Sequence, residues 1–241
     1  MTNFKAESGG DSRIAGDSAD RSLAPEDQVD DPSHSKRTPP LLVVIEGRND
    51  IEFLRRISAM LSASDNRLPD LSILERRGKI VFVPFGGGDI QSWVFRLAPL
   101  CKSEVHVYDR EIAPVSELRH RAAQIVNLRP GCRAFVTDKR SVENYLHPQA
   151  IFEASGIQIE VGDNDDVADL VAQKRFLTHD RDRDWLSITA RCRRRLRNRA
   201  KLWLNRDGAG RMTAELLAAR DPDGEVRNWL TTIAEMVADL S

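Results

Sequence analysis

The chain is poor in the residues that would announce a secreted, membrane-bound or metal-thiolate protein. Only three cysteines occur among 241 residues. Cys101, Cys132 and Cys192 are far apart, which excludes a zinc-ligand spacing and offers no disulfide framework. No apolar run approaches the roughly 18 residues of a membrane span, and the N-terminus lacks the apolar core of a signal peptide. The expectation is a reduced, cytoplasmic protein. Net charge is also lacking: 36 Lys/Arg against 37 Asp/Glu leave −1, so the overall balance names no partner. Internal repeats are absent.

The charges that are present are unevenly placed. Residues 1–40 hold 5 Lys/Arg and 8 Asp/Glu among Ser, Gly and Pro, with few large apolar groups. Such a segment cannot offset its ordering entropy, and a disordered tail is expected over 1–40. Residues 173–211 hold 13 Lys/Arg against 4 Asp/Glu, concentrated in "RCRRRLRNRAK" (191–201).

Between these extremes, strand-like and helix-like runs alternate. "LLVVIE" (41–46), "KIVFVPF" (79–85), "EVHVYD" (104–109) and "CRAFVT" (132–137) are short β-branched runs of the kind buried on both faces of a sheet. The segments 49–62, 89–100 and 115–128 repeat apolar residues at helical spacing. This predicts βαβ units and a parallel α/β sheet of about four strands. A mostly helical remainder follows, with helices expected over 148–155, 164–173, 184–204, 211–219 and 225–240. The predicted organisation is a tail to 40, an α/β domain over 41–147 and a helical extension over 148–241.

Open α/β sheets bind ligands at the carboxyl ends of their strands. Here those ends carry Glu46 with Asp50, Asp109 with Glu111, and Thr137-Asp138. Glu46, Asp50, Asp109 and Glu111 would repel one another if left bare, whereas with Mg²⁺ or Mn²⁺ they become ordinary hard oxygen ligands. Gly47 gives the strand-to-helix turn a backbone that can approach a phosphate. "FGGGD" (85–89) reads either as a phosphate cradle at a helix N-terminus or as a tight turn capped by Asp89. The histidines within 106–179 have no ligand spacing and read as packing or surface groups.

"VVIEGRNDIEFL" followed by "VHVYDRE" resembles a Toprim domain, the metal-binding catalytic module of topoisomerases, bacterial primases and nucleases. "TDKRSVENYL" is similar to the OLD-type (overcoming lysogenisation defect) nuclease subgroup. The resemblance covers about 41–147, with a faint echo in "DPDGEVRNWL". It implies a Rossmann-like fold and a Mg²⁺-dependent nuclease acting on DNA, with Glu46 in metal or proton chemistry. Asp50, Asp109, Glu111 and Glu143 would be the metal ligands. It also implies a lysine from the C-terminal part, for which Lys174 and Lys201 are the candidates. The family's Asp-x-Asp stands here as Asp109-Arg110-Glu111, and the extra methylene displaces the second carboxylate.

Three further expectations follow. The basic helix would hold a nucleic-acid backbone through Arg193, Arg194, Arg197 and Lys201. Leu186, Cys192, Leu196 and Trp203 would face inward. The resemblance implies an ATPase domain, but no G-x-x-x-x-G-K-[ST] loop is present, so either the protein acts alone or an ATPase partner acts in trans. The competing readings are a non-cleaving Toprim-like binding subunit and a topoisomerase or primase. A topoisomerase needs a nucleophilic tyrosine, and the chain offers Tyr108 and Tyr145.

Overall fold

Four parallel strands order themselves β2-β1-β3-β4 in one sheet. A computed structural model describes residues 39–240 except Gly88 and 180–183. The expected tail over 1–40 therefore lies outside the described residues, apart from Pro39 and Pro40. The strands are β1 (Leu41–Ile45), β2 (Ile80–Pro84), β3 (Glu104–Tyr108) and β4 (Cys132–Val136). The predicted α/β class, with its helical C-terminal region, is what the structure contains.

Alternation explains how the sheet is covered. Leu41, Val43 and Ile45 of β1 join Val105 and Val107 of β3 in one apolar cluster. Helix α1 (Arg48–Ser64) contributes Phe53, Leu54, Ile57 and Leu61 to that cluster. Val44 and Tyr108 point to the other face, against α3 (Ile90–Arg96) and α4 (Val115–Asn127). The larger cluster continues through α5 (Pro148–Ser155), α6 (Val167–His179), α8 (Ala214–Arg220) and α9 (Glu225–Asp239). Ala200 of α7 (Ala190–Trp203) joins it, so the helical remainder shares its core with the sheet.

Several predicted boundaries move for local reasons. A short helix, α2 (Leu71–Arg76), was not anticipated; Asp70 caps it by accepting from the Ser72 and Ile73 amides. The helix expected over 89–100 ends at Arg96, and Pro99 sits in a separate 3₁₀ turn (Ala98–Leu100). The helix expected from 184 is a 3₁₀ turn (Trp185–Ser187) followed by α7, whose start is capped by Thr189 accepting from the Cys192 amide. Leu186 and Cys192, expected inward, are exposed on this rearranged entry, while Leu196 and Trp203 pack on the core. At 85–89 the tight-turn reading holds among the described residues: Asp89 accepts from the Gln91 amide and the Ser92 hydroxyl, filling the short helix's N-terminus with its own carboxylate.

The strand order fixes where a site belongs. The chain passes from β1 to β2 on one side, then crosses to β3 on the other side of β1. The carboxyl ends of β1 and β3 thus flank the topological switch point, where neighbouring connections diverge and leave a crevice. Glu46 and Asp109 are the residues that immediately follow those two strands.

Candidate functional site

Five carboxylates and one ammonium converge at this crevice. Gly47, extended at φ −156°, ends β1 and caps α1; its amide donates to Asp50 Oδ2 at 2.8 Å. This is an ordinary helix-start exchange, but it uses only one oxygen. Asp50 Oδ1 is buried, receives no hydrogen bond, and faces Lys201 Nζ at 3.2 Å. Asp109 repeats the pattern: Oδ1 accepts from the Val142 amide at 3.1 Å, while buried Oδ2 accepts none and lies 3.8 Å from Lys201 Nζ. Glu143 Oε1 lies 3.5 Å from the same ammonium. Ser141 and Asn205 fix Glu143, donating to Oε2 and Oε1 respectively.

Glu46 and Glu111 complete the group from the more open side. Arg119 Nη2 donates to Glu46 Oε2 at 3.1 Å from a buried position on α4. Glu111 adopts φ +58°, unusual for a residue with a side chain. Its amide donates to the Arg140 carbonyl at 2.8 Å, and its carboxylate lies 3.6 Å from Arg140 Nε. One oxygen each from Glu46, Asp109 and Glu111 lie within 4.8 Å of one another. A Mg²⁺ ion bonded at about 2.1 Å spans roughly 4.2 Å between opposite oxygens. Small side-chain rotations therefore suffice for these three to share a cation. The buried, undonated Asp109 Oδ2 is the observation that fits the set to a hard divalent ion, since its positive neighbour Lys201, at 3.8 Å, is beyond hydrogen-bond reach and leaves the anionic oxygen only partly compensated.

The electrostatics follow from crowding. Burial pushes the Asp50 carboxyl up to about 6; Lys201 pulls it down while Glu143 and Glu46 push it further up. Burial also lifts Asp109 well above the usual carboxylate range, against the pull of Lys201. For Lys201, burial favours loss of the proton, but Glu143, Asp50 and Asp109 outweigh it and hold the ammonium more firmly than in water. One lysine is left to neutralise a pocket of carboxylates.

Sequence reasoning named all five acids and Lys201, and the fold gathers them. Lys174 lies elsewhere, exposed on a separate cleft with Gln158, Glu160 and Trp203. Thr137 Oγ1 accepts from the Arg110 amide, and the Asp138 amide donates to Glu225, so that strand end braces loops rather than adding ligands. Arg119, Ser141 and Asn205 were not anticipated. Arg119 left a trace: it sits in register with Val115, Ala122 and Val126 on the apolar stripe of α4, where an unpaired arginine would be untenable.

The four residues expected to hold a nucleic-acid backbone are placed on different faces of α7. Arg193 Nη1 donates to the Leu186 and Ile188 carbonyls at 3.2 and 2.9 Å. Arg197 forms a forked pair with Asp166, with Nε at 2.9 Å from Oδ2, and Lys201 is among the carboxylates. These three are engaged inside the protein because positions 193, 197 and 201 form the inward row of α7. Arg194 alone of the four is exposed. Tyr108 and Tyr145 are both fully buried, so neither is available as a strand-passing nucleophile.

No protein-family model matches the chain, and no curated protein matches it. Among solved structures, similarity is found to the C-terminal region of the Xanthomonas campestris pv. campestris OLD protein, in forms phased with iodine, platinum and mercury. The iodine form has a TM-score of 0.45 at 15% identity, covering 82% of this chain and 95% of that one. The platinum form has a TM-score of 0.46 at 15% identity, covering 82% and 93%. The mercury form has a TM-score of 0.42 at 14% identity, covering 82% and 96%. At this level the likeness assigns neither family nor activity. Among the described residues no helix is long and apolar enough to cross a membrane.

Proposed function

We propose that the chain is a divalent-metal-dependent phosphodiesterase of the OLD-like Toprim type, cleaving DNA with Mg²⁺ or Mn²⁺ bound at the switch-point crevice. One observation carries the reading: one oxygen each from Glu46, Asp109 and Glu111 lie within 4.8 Å of one another, beside a buried Asp109 Oδ2 that accepts no hydrogen bond. Glu46, Asp109 and Glu111 would hold the ion. When bound, it supplies the positive charge that a phosphodiester needs at its non-bridging and leaving oxygens. Lys201, fixed by Asp50 and Glu143, offers a second positive charge across the crevice. On this reading the ammonium stands where a second ion would otherwise be required, and Glu111 completes the first set. Arg119 holds Glu46 in place, and the other Glu46 oxygen remains available to a ligand or a water proton.

Plasmid DNA incubated with Mg²⁺ or Mn²⁺ tests this, with the Asp109→Ala variant alongside and circular dichroism to verify folding. Metal-dependent nicking by the wild type that disappears in the folded variant is the expected result. A wild type that neither nicks DNA nor binds either metal overturns it and leaves the non-cleaving subunit as the better description.

A further inference from the structure

Helix α7 has a second basic row, and the internal contacts described above do not use it. Arg191, Arg194, Arg195 and Arg199 are exposed, and none pairs with a carboxylate among the described residues. With Asn198 and Leu202 they line an open depression of about 610 Å³. Asn198 and Leu202 also line a second, adjoining cleft of about 850 Å³ between α7 and α1. That cleft adds Arg48, Arg55, Arg56 and Arg206. Glu52 is the one carboxylate lining either depression, and Arg55 and Arg56 hold it at 2.9 and 3.8 Å. From outside the lining, Glu75 also pairs with Arg55 at 2.7 Å and Asp207 with Arg206 at 3.7 Å. The result is a continuous arginine surface on a protein whose net charge is −1. Its near end, Arg48, is the first residue of α1, two positions before Asp50 of the carboxylate centre.

We propose that this surface is a binding track for the sugar–phosphate backbone of duplex nucleic acid, leading to the carboxylate crevice. The proposal rests on the phosphodiesterase reading for the destination of the strand, but binding itself needs no cleavage. Arg48, Arg191, Arg194, Arg195 and Arg199, without carboxylate partners among the described residues, are the expected lining for phosphate, which arginine meets through paired N–H donors. The track's only apolar residues are Leu202 and Ile51; it has no aromatic ring. Proteins that hold single strands use aromatic platforms on which unpaired bases stack. A track offering guanidinium groups and no stacking surface instead suits a duplex, whose bases are already stacked and whose phosphates face outward. Binding of this kind depends on counterion release, so it falls steeply with salt and ignores sequence.

The test measures binding of a fluorescent duplex of about 25 base pairs, and of either strand alone, across a salt series without divalent metal. The wild type is compared with Arg191→Gln/Arg195→Gln/Arg199→Gln. A control, Arg76→Gln/Arg77→Gln/Arg121→Gln, removes the same charge from exposed arginines on α2, its C-terminal end and α4. The track variant should lose at least about tenfold in affinity at 0.1 M salt, with the log–log salt slope reduced by about 2–3, near one per phosphate contact removed. The control should stay within about threefold of wild type, and the single strand should bind more weakly than the duplex.

Equal losses in the two variants, or single-strand binding as tight as duplex binding, overturn the proposal. So does binding of polyglutamate but not duplex, which would assign the surface to an acidic protein. Absent cleavage with salt-dependent, variant-sensitive duplex binding intact overturns the phosphodiesterase reading and leaves the track standing.

Discussion

Replacing Lys201 with methionine keeps most of its volume and removes its charge. Its Nζ lies 3.2, 3.5 and 3.8 Å from oxygens of Asp50, Glu143 and Asp109. At an effective dielectric constant near 20, each such pair is worth about 4–5 kcal/mol of gross attraction. Most of this is offset by the cost of taking the charges out of water. Removing one partner from a buried ion pair nevertheless costs about 3–5 kcal/mol, because the remaining charge is stranded. The lysine side chain is one-fifth exposed, which favours the lower end. Lys201→Met should therefore destabilise the metal-free protein by about 3 kcal/mol, a fall in Tm of roughly 6–12 °C for a domain of this size.

Two companion measurements give that figure meaning. Adding Asp50→Asn to Lys201→Met removes one stranded carboxylate and should restore at least about 1 kcal/mol, a coupling that distant sites do not show. Saturating Mn²⁺ should stabilise the single variant more than the wild type, because losing the ammonium raises the site's affinity for a cation and native-state binding adds RT ln(1 + [L]/Kd). Differential scanning fluorimetry followed by urea titration reads all three quantities. If Lys201→Met melts within about 1 °C of wild type, or if Asp50→Asn makes it worse, the ammonium does not neutralise the pocket and the electrostatic reasoning fails.

Two further predictions come from the same framework. Gly86 and Gly87 both occupy left-handed conformations, φ +78° and +67°, so alanine at either should cost about 1 kcal/mol. A Cβ at 87 would stand 3.0 Å from Glu46 Oε1, whereas at 86 it meets nothing within 4 Å. Gly87→Ala should thus weaken Mn²⁺ binding in isothermal titration at least about fivefold, and Gly86→Ala should leave it unchanged. Burial pushes the Glu225 carboxyl up to about 7, against hydrogen bonds from the Tyr145 hydroxyl and the Asp138 amide. The native state then holds this proton more tightly than the unfolded chain, so stability is greatest below the unfolded pKa near 4.5 and falls as pH rises to 7. Urea midpoints for Glu225→Gln should lack that decline, about 1 kcal/mol after discounting the group's partial exposure. Parallel wild-type and variant curves would refute it.

What the sequence made legible follows from how local each signal is. The four strands are readable because short Val/Ile/Leu runs between turn residues have one reading in a parallel sheet, and their ends fall within a residue or two of expectation. Glu46, Asp50 and Asp109 were visible because position at a strand's carboxyl end implies location in the crevice. The faces of α7 were only partly readable. Leu196 and Trp203 marked part of its inner face, but with six arginines among its fourteen residues the helix has too little apolar contrast to sort them, and only the tertiary contacts of Arg193 and Arg197 do so. Helix α2 was too short for periodicity to register, and Asn205, on a π turn after α7 (Leu204–Gly208), has no local pattern linking it to Glu143. The choice between Lys174 and Lys201 likewise needed the fold, since neither has a local pattern that ties it to the strand ends.

The residues around the crevice enter the chain at widely separated times: Glu46 and Asp50 first, Asp109 and Glu111 some sixty residues later, Glu143 next and Lys201 last. A chain emerging from the ribosome completes its sheet well before α7 exists. During that interval Glu46 and Glu111 already have Arg119 and Arg140 beside them, but Asp50, Asp109 and Glu143 lack the ammonium of Lys201. The last strand and the neutralising lysine are separated by α5, α6 and most of α7. The charge balance of the crevice is therefore completed only when the fold is nearly finished, and a chain stalled before α7 would carry Asp50, Asp109 and Glu143 without their shared ammonium.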